Sequence, residues 1–331
     1  MRRGHNRRDL AALLMAGLAA PEVAFALASP TDVGSEEQIG GRLDTLARLT
    51  APVWINGHGP YNFVVDTGSN HSIISAELAA SLGLKAIDDL VINTVAGAET
   101  TGAVQVDSLV IGERPSHGAV FATAPRQSIG GPGLIGIEQL EDLRLTLDYR
   151  RRRLSVAPAG RLRGGAGRVL LRAEQRDGRL TLVGARVGRV AVTTFLDSGS
   201  QMTIANKALR HALGNRVGRI TEHDPYPSIP VIGVTGQMVT GELGILPTLT
   251  VGGLYVNNLA AVFADLHTFD MWGLKNTPAM VIGVDLLRRF DSVAFDFPSG
   301  RVLFSLPGDH GPPTGTRLRG GSPTGSRVVR G

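Results

Sequence analysis

The chain has 331 residues, and its 43 glycines favour a turn-rich β protein over a helical bundle, in which that much glycine would be destabilising. Its formal net charge of +5 belongs to the two ends, and the neutral central part argues against nucleic-acid binding. The absence of cysteine excludes disulfides, thiolate metal sites and a cysteine nucleophile.

The N-terminus has the pattern of an export signal. Two arginine pairs precede a short apolar run at residues 10–18, and residues 26–28 form a small-x-small cleavage pattern. The arginine pair at residues 7–8 resembles a twin-arginine signal. We therefore predict that residues 1–28 are a signal peptide and that the protein is exported, to the periplasm or outside the cell. An uncleaved N-terminal membrane anchor is the alternative interpretation.

The body of the chain contains the same sequence pattern twice, and this repeat is the basis for the predicted fold and site. In each copy an apolar strand leads into a short loop, and these loops are Asp66-Thr67-Gly68-Ser69 and Asp197-Ser198-Gly199-Ser200. Short helices are predicted after the loops, over residues 76–82 and 206–213. Both copies then end with an apolar pair, a glycine, a short helix and a hairpin. A duplicated pattern of this length predicts two lobes with the same fold.

Each copy also contains a second hairpin, in which alternating strands flank a glycine turn. The turns contain Gly97 in the first copy and Gly236 in the second. Residues 158–167 are rich in Gly, Arg and Pro and are predicted to link the copies. The lobes are accordingly predicted at residues 51–157 and 168–307.

The two ends of this body are predicted to lie outside the lobes. Residues 29–50 form an N-terminal segment with no clear signal for a pro-segment. Residues 308–331 contain too few apolar residues to offset the entropy of ordering them, which predicts a disordered tail.

The repeated loops carry the chemistry. Two strand ends related by a pseudo-twofold axis would place the carboxylates of Asp66 and Asp197 side by side, where like charges resist ionising together and share one proton. Such a pair can activate water without a covalent nucleophile. The glycines of each loop permit a sharp turn and a close approach of the backbone. We expect the hydroxyls of Thr67 and Ser198 to join the two loops, and those of Ser69 and Ser200 to hydrogen-bond the carboxylates.

Both loops resemble the active-site loops of retroviral-type and pepsin-type aspartic peptidases. The later segments Leu134-Ile135-Gly136 and Val281-Ile282-Gly283 resemble the strand that crosses behind each catalytic loop in that family. The resemblance covers residues 45–306. It implies a mostly-β fold with few short helices, in which two retropepsin-like β-barrel lobes are fused in one chain and related by pseudo-twofold symmetry.

The resemblance also implies which residues act. It gives Asp66 and Asp197 as the catalytic pair and the hairpins at Gly97 and Gly236 as flaps over the substrate. The chain departs from the pepsin type because its first hairpin has no tyrosine. It also has His71 and Gln201 where small residues are common.

The sequence therefore predicts an aspartic endopeptidase that acts as a monomer on peptide or protein substrates. No metal or organic cofactor is implied, since the eight histidines form no metal-ligand pattern. Two other interpretations stay open: a protein of this fold that binds peptides without cleaving them, and an enzyme that works as a dimer of two full chains.

Overall fold

The computed structural model describes residues 36–176 and 179–308, together with the main chain of residues 318–322 and 325–329. The predicted signal peptide, residues 1–28, lies outside the described residues. No helix in the described ranges has both the length and the apolar character needed to span a bilayer.

Strands dominate both halves of the chain. Those of the first half are β1 (Glu37–Ile39), β2 (Arg42–Leu43), β3 (Leu49–Ile55), β4 (His58–Val65), β5 (Ile73–Ser75), β6 (Lys85–Asn93), β7 (Ala98–Ile111), β8 (Arg114–Ala124), β9 (Gly133–Ile135), β10 (Leu143–Asp148) and β11 (Arg153–Pro158). Those of the second half are β12 (Arg168–Arg176), β13 (Arg179–Leu182), β14 (Arg186–Val187), β15 (Val190–Ala191), β16 (Thr193–Leu196), β17 (Ile204–Ala205), β18 (Ser228–Ile232), β19 (Met238–Leu246), β20 (Leu249–Val251), β21 (Leu254–Val256), β22 (Leu259–Phe263), β23 (Ala279–Ile282), β24 (Ser292–Asp296), β25 (Arg301–Ser305), β26 (Leu318–Ser322) and β27 (Gly325–Val329).

The helices are short, and the two that follow the Asp loops begin within one residue of the predicted positions. They are α1 (Ala76–Ser81), α2 (Arg126–Ile129), α3 (Lys207–Leu213), α4 (His267–Met271) and α5 (Val284–Leu287), with 3-10 turns at Ile137–Gln139 and Gly214–Arg216. Ser75 caps α1, since its hydroxyl accepts a hydrogen bond from Leu78 N at 3.1 Å. Asn206 caps α3 in the same way, with Leu209 N at 2.9 Å from its side-chain oxygen.

A central antiparallel sheet joins the two halves. Its strand order is β1-β11-β10-β24-β25-β12, so each half contributes one hairpin and one flanking strand. The hairpins meet where β10 pairs with β24, and Thr146 lies opposite Ala294 at the centre of this pairing. The pseudo-twofold axis therefore passes between these two strands.

The two lobes have the same strand order. The first runs β3-β4-β9-β5-β8-β7-β6, and the second runs β13-β16-β23-β17-β22-β19-β18. The parallel pairs also correspond, because β4 lies parallel to β9 as β16 does to β23. The structure thus confirms the predicted mostly-β fold with two similar lobes and few short helices.

Both ends of the body contain strands that the sequence does not predict. Within the predicted N-terminal segment, β1 pairs with β11 in the central sheet and β2 pairs with β3. Within the predicted disordered tail, β26 pairs with β21 and β27 pairs with β26. Pairing at a sheet edge uses main-chain groups, so it leaves little trace in the pattern of side chains.

Candidate active site

The two aspartates follow equivalent strands. Asp66 comes directly after β4, and its N–H donates to the carbonyl of Ile135 in β9 at 3.0 Å. Asp197 comes directly after β16, and its N–H donates to the carbonyl of Ile282 in β23 at 2.9 Å. The strand behind each loop therefore fixes the point at which the aspartate leaves the sheet.

The loops of the two lobes are tied together by a reciprocal set of hydrogen bonds. Thr67 N donates to Ser198 Oγ at 3.1 Å, and Ser198 N donates to Thr67 Oγ1 at 3.0 Å. Each hydroxyl also donates across the interface, Thr67 to the carbonyl of Leu196 at 3.0 Å and Ser198 to that of Val65 at 2.6 Å. Both residues are almost fully buried. Each such bond stabilises the arrangement by about 0.5–1.5 kcal/mol net, and breaking one would leave buried polar groups unpaired.

This exchange places the two carboxyl groups so close together that, after burial, the charge of Asp197 raises the pKa of Asp66. A side chain on Gly68 would overlap the carboxylate of Asp197, and one on Gly199 would overlap that of Asp66. Only glycine allows this approach at either position. The structure therefore brings the side chains of Asp66 and Asp197 close together.

The two carboxylates differ in their main-chain donors. Oδ1 of Asp66 accepts a hydrogen bond from Gly68 N at 2.8 Å. Oδ1 of Asp197 accepts two, from Gly199 N at 2.8 Å and Ser200 N at 3.0 Å. Main-chain donors stabilise a negative charge on a carboxyl group, and Asp197 receives one more of them than Asp66.

The serine hydroxyls of the loops have different partners from those expected from the sequence. Ser69 Oγ donates to the carbonyl of His71 at 2.7 Å, and Ser200 Oγ donates to that of Met202 at 2.9 Å. Each hydroxyl closes its own loop and leaves the carboxylate to main-chain donors. The tight turn after the glycine brings the carbonyl two residues ahead within reach.

Burial sets the protonation of the pair. Burial, followed by the negative charge of Asp197 and a hydrogen bond to it, raises the pKa of Asp66 well above its ordinary value. The N–H of Gly68 and the charge of Arg48 lower the pKa of Asp66 by less. Burial and the nearby charge therefore favour a single proton shared between the two carboxyl groups.

A second pair of acidic residues supports the loops from behind. Glu138 Oε1 accepts hydrogen bonds from Ser72 N at 2.7 Å and Ser72 Oγ at 2.5 Å, while Ser72 Oγ accepts one from Gly136 N at 3.0 Å. In the other lobe, Thr203 Oγ1 donates to Asp285 Oδ1 at 2.9 Å. Sequence reasoning gave these acids no role, although both stand two residues after the glycine that ends the strand behind each loop.

The second acidic pair makes stability depend on pH. Burial raises the pKa of Glu138 despite hydrogen bonds from Ser72 and the charge of His71, and burial raises that of Asp285 despite Thr203 and Arg289. A raised folded-state pKa gives stability that is fully present below the ordinary pKa and is lost as pH rises through the raised one.

We therefore expect a higher melting temperature at mildly acidic pH than at neutral pH, and a smaller difference in the double variant Glu138→Gln, Asp285→Asn. Thermal unfolding across this range measures both, with Glu141→Gln at an exposed position as the control. An unchanged difference in the double variant would show that these two acids do not cause it.

The predicted flap hairpins, β6–β7 and β18–β19, meet at their tips. Thr94 Oγ1 donates to Gln237 Oε1 at 2.7 Å, and Gln237 Nε2 donates to Glu99 Oε1. The first tip is also held by α4, since His267 N donates to the carbonyl of Val95 at 2.9 Å. The two lobes are therefore joined at the tips as well as at the aspartates.

Gly97 and Gly236 lie at the turns of the two hairpins. The carbonyl of Gly97 accepts a hydrogen bond from Thr94 N at 2.9 Å, and this bond closes the first turn. Gly236 has a φ of 91°, a conformation that glycine adopts without strain. Its N–H donates to the carbonyl of Gly233 at 2.9 Å and closes the second turn.

The family comparison agrees with this arrangement. The family model described as aspartyl protease matches residues 51–138 and 183–286, so each matched region contains one Asp loop and the strand behind it. No curated protein sequence matches the chain significantly. Within the described part of the chain, no group of three or more His, Cys, Asp and Glu side chains could hold a metal ion.

Proposed function

Because the chain belongs to the aspartyl protease family, we propose that it is an endopeptidase in which Asp66 and Asp197 activate a water molecule to hydrolyse peptide bonds. The observation that carries the proposal is the reciprocal bonding of Thr67 and Ser198, which holds the two Asp loops together and packs the glycine of each loop against the carboxylate of the other. Two acidic groups that share one proton supply a general acid and a general base in the same place.

The reaction begins with Asp66 protonated and Asp197 ionised. Asp197 removes a proton from the bound water, whose oxygen forms a bond to the carbonyl carbon of the substrate. Asp66 gives its proton to the carbonyl oxygen, so the intermediate is a neutral tetrahedral diol. The main-chain donors on Asp197 stabilise its negative charge before this step.

Collapse of the intermediate returns both aspartates to their starting states. Asp197 gives its proton to the amide nitrogen, the carbon–nitrogen bond breaks, and a diol hydroxyl returns its proton to Asp66. One water molecule is consumed, and a carboxylic acid and an amine are released. The chemistry uses only the side chains of this chain, with no cofactor.

The substrate is an extended peptide that lies between the aspartates and the two flap hairpins. Strands β6, β7, β18 and β19 offer main-chain groups for such a peptide, in the manner of strand addition. Because both Asp loops are in one chain, a monomer is sufficient. The N-terminal sequence supports a site of action outside the cytoplasm.

Digestion of a random peptide library by the purified chain, from acidic to neutral pH, tests the proposal. We expect cleavage at internal bonds that is blocked by a statine-containing peptide, whose hydroxyl mimics the tetrahedral intermediate. A metal chelator serves as the control and should leave cleavage unchanged. Binding of library peptides without hydrolysis at any pH would instead favour a peptide-binding protein.

A further inference from the structure

Two buried arginines occupy equivalent positions in the two lobes. Arg48 directly precedes β3 and Arg179 begins β13, each at the same separation from the aspartate of its own lobe. Only 6% of each residue is exposed. A guanidinium group stays charged when it is buried, so its hydrogen-bond partners indicate its role.

Arg48 has its partners within its own lobe. Its Nε lies 2.7 Å from Asp44 Oδ2, and its Nη2 donates to the carbonyl of Ile129 at 2.8 Å. These contacts join the turn before β3 to α2. They hold the first lobe together without reaching the second.

Arg179 instead reaches across the lobe boundary. Its Nε donates to the carbonyl of Gly68, in the Asp loop of the first lobe, at 2.7 Å. Its guanidinium carbon lies 5.1 Å from the centre of the Trp272 ring, whose centroid is 4.1 Å from that of Phe195 with the planes tilted by 32°. A planar cation on an aromatic face has few alternative orientations, so Arg179 presents a fixed donor to the neighbouring lobe.

Gly68 is the residue of the first loop that touches both carboxyl groups. Its N–H donates to Asp66 Oδ1 at 2.8 Å, and its Cα packs so closely on the carboxylate of Asp197 that a side chain would overlap it. Rotation of Gly68 would therefore move the donor to Asp66 and change the spacing to Asp197. The bond from Arg179 opposes that rotation.

We propose that Arg179 is a positioning residue for the aspartate pair, and that it aligns the Asp66 loop from the opposite lobe by holding the carbonyl of Gly68. The bond forms only when the two lobes are packed as described, so Arg179 makes the alignment of the pair depend on lobe packing. The catalytic part of this inference rests on the proposed peptidase function.

Replacement of Arg179 by Met is expected to lower kcat by about tenfold to a hundredfold, since a displacement of the order of 1 Å at a reacting group costs about that much. KM should change little, because the side chain faces the loop rather than the substrate. The matched control is Arg210→Met, which removes an arginine that stacks at 4.8 Å on Tyr226 and lies 3.7 Å from Glu242. That control should keep the kcat of the wild type.

Arg179→Lys distinguishes positioning from charge. Lysine keeps the positive charge, but its amine lies one atom further along the side chain than Nε, so we expect it to recover only part of the lost kcat. A lysine variant with the kcat of the wild type would overturn the proposal, as would a folded Met variant with unchanged kcat. A raised KM with unchanged kcat would also overturn it, because it would indicate contact with the substrate.

Hydrogen exchange provides a readout that does not depend on activity. In both Arg179 variants, the amides of residues 66–69 should exchange faster than in the wild type, while those of β9 keep their rates. Unchanged hydrogen exchange at residues 66–69 would contradict the proposed role of Arg179. If the wild type cleaved no peptide, the proposed function would fail, and the exchange measurement would still decide whether Arg179 holds the loop.

Discussion

A disulfide between the hairpin tips, introduced by Val95→Cys and Gly233→Cys, is expected to lower peptide hydrolysis to background. Chemical reduction of the disulfide is expected to restore hydrolysis. The tips already meet through Thr94 and Gln237, and a peptide lying between the hairpins and the aspartates must pass them to enter. A covalent bond between the tips would hold the closed state. Turnover before and after addition of a reductant measures the effect.

The structure favours this pair of positions. A Cβ on Gly233 would lie 2.9 Å from Cγ2 of Val95, so the two Cβ atoms come close to the range of about 3.5–4.5 Å that disulfides span. Gly233 does not have a positive φ, so cysteine is sterically allowed there. The chain contains no other cysteine, and the new pair therefore has no competing partner.

The two single cysteine variants are the controls for the disulfide. Each carries one of the side-chain changes without the bond, and each should turn over substrate at the same rate with and without reductant. Full activity of the oxidised double variant would show that substrate reaches the aspartates without separation of the tips.

Much of the fold could be predicted from the sequence because the same features recur in the same order. In each copy an apolar strand ends in an Asp, and a later apolar strand ends in a glycine. Together these two strands predict where each Asp loop lies. The capping residues Ser75 and Asn206 mark the helices next to these loops. Duplication makes each local feature more informative, since a chance match in one copy is seldom repeated in the other.

Outside the repeated Asp loops, the contacts that join distant segments could not be predicted. The bond from Arg179 to Gly68 links positions 111 residues apart, and that from Thr94 to Gln237 links positions 143 residues apart. No local periodicity marks such pairs, because each side chain is compatible with many partners. The partner of the Ser69 hydroxyl was missed for another reason: a nearby main-chain carbonyl competes with the carboxylate for the same donor.

Replacement of either Asp66 or Asp197 by Asn is expected to lower kcat by about 10²–10⁴-fold, the range that general acid–base catalysis contributes. An amide has nearly the shape of the carboxyl group, but it cannot take a proton from water or return one to the amine. The Asn variants should melt at or above the temperature of the wild type at neutral pH, since burial disfavours a second negative charge at this site.

Asp270→Asn is the matched control for these variants. Asp270 lies on the surface in an ion pair with Lys275 at 2.9 Å, and both side chains are at least half exposed. Its replacement removes one carboxylate without touching the loops. It should leave both kcat and the melting temperature close to those of the wild type.

The most direct test of this account is the kcat of Asp66→Asn on the best library peptide, measured beside the wild type and Asp270→Asn. The account predicts that a folded Asp66→Asn protein loses nearly all turnover while the surface variant keeps it. Turnover by folded Asp66→Asn at the rate of the wild type would contradict the assignment of a shared-proton pair at the lobe boundary.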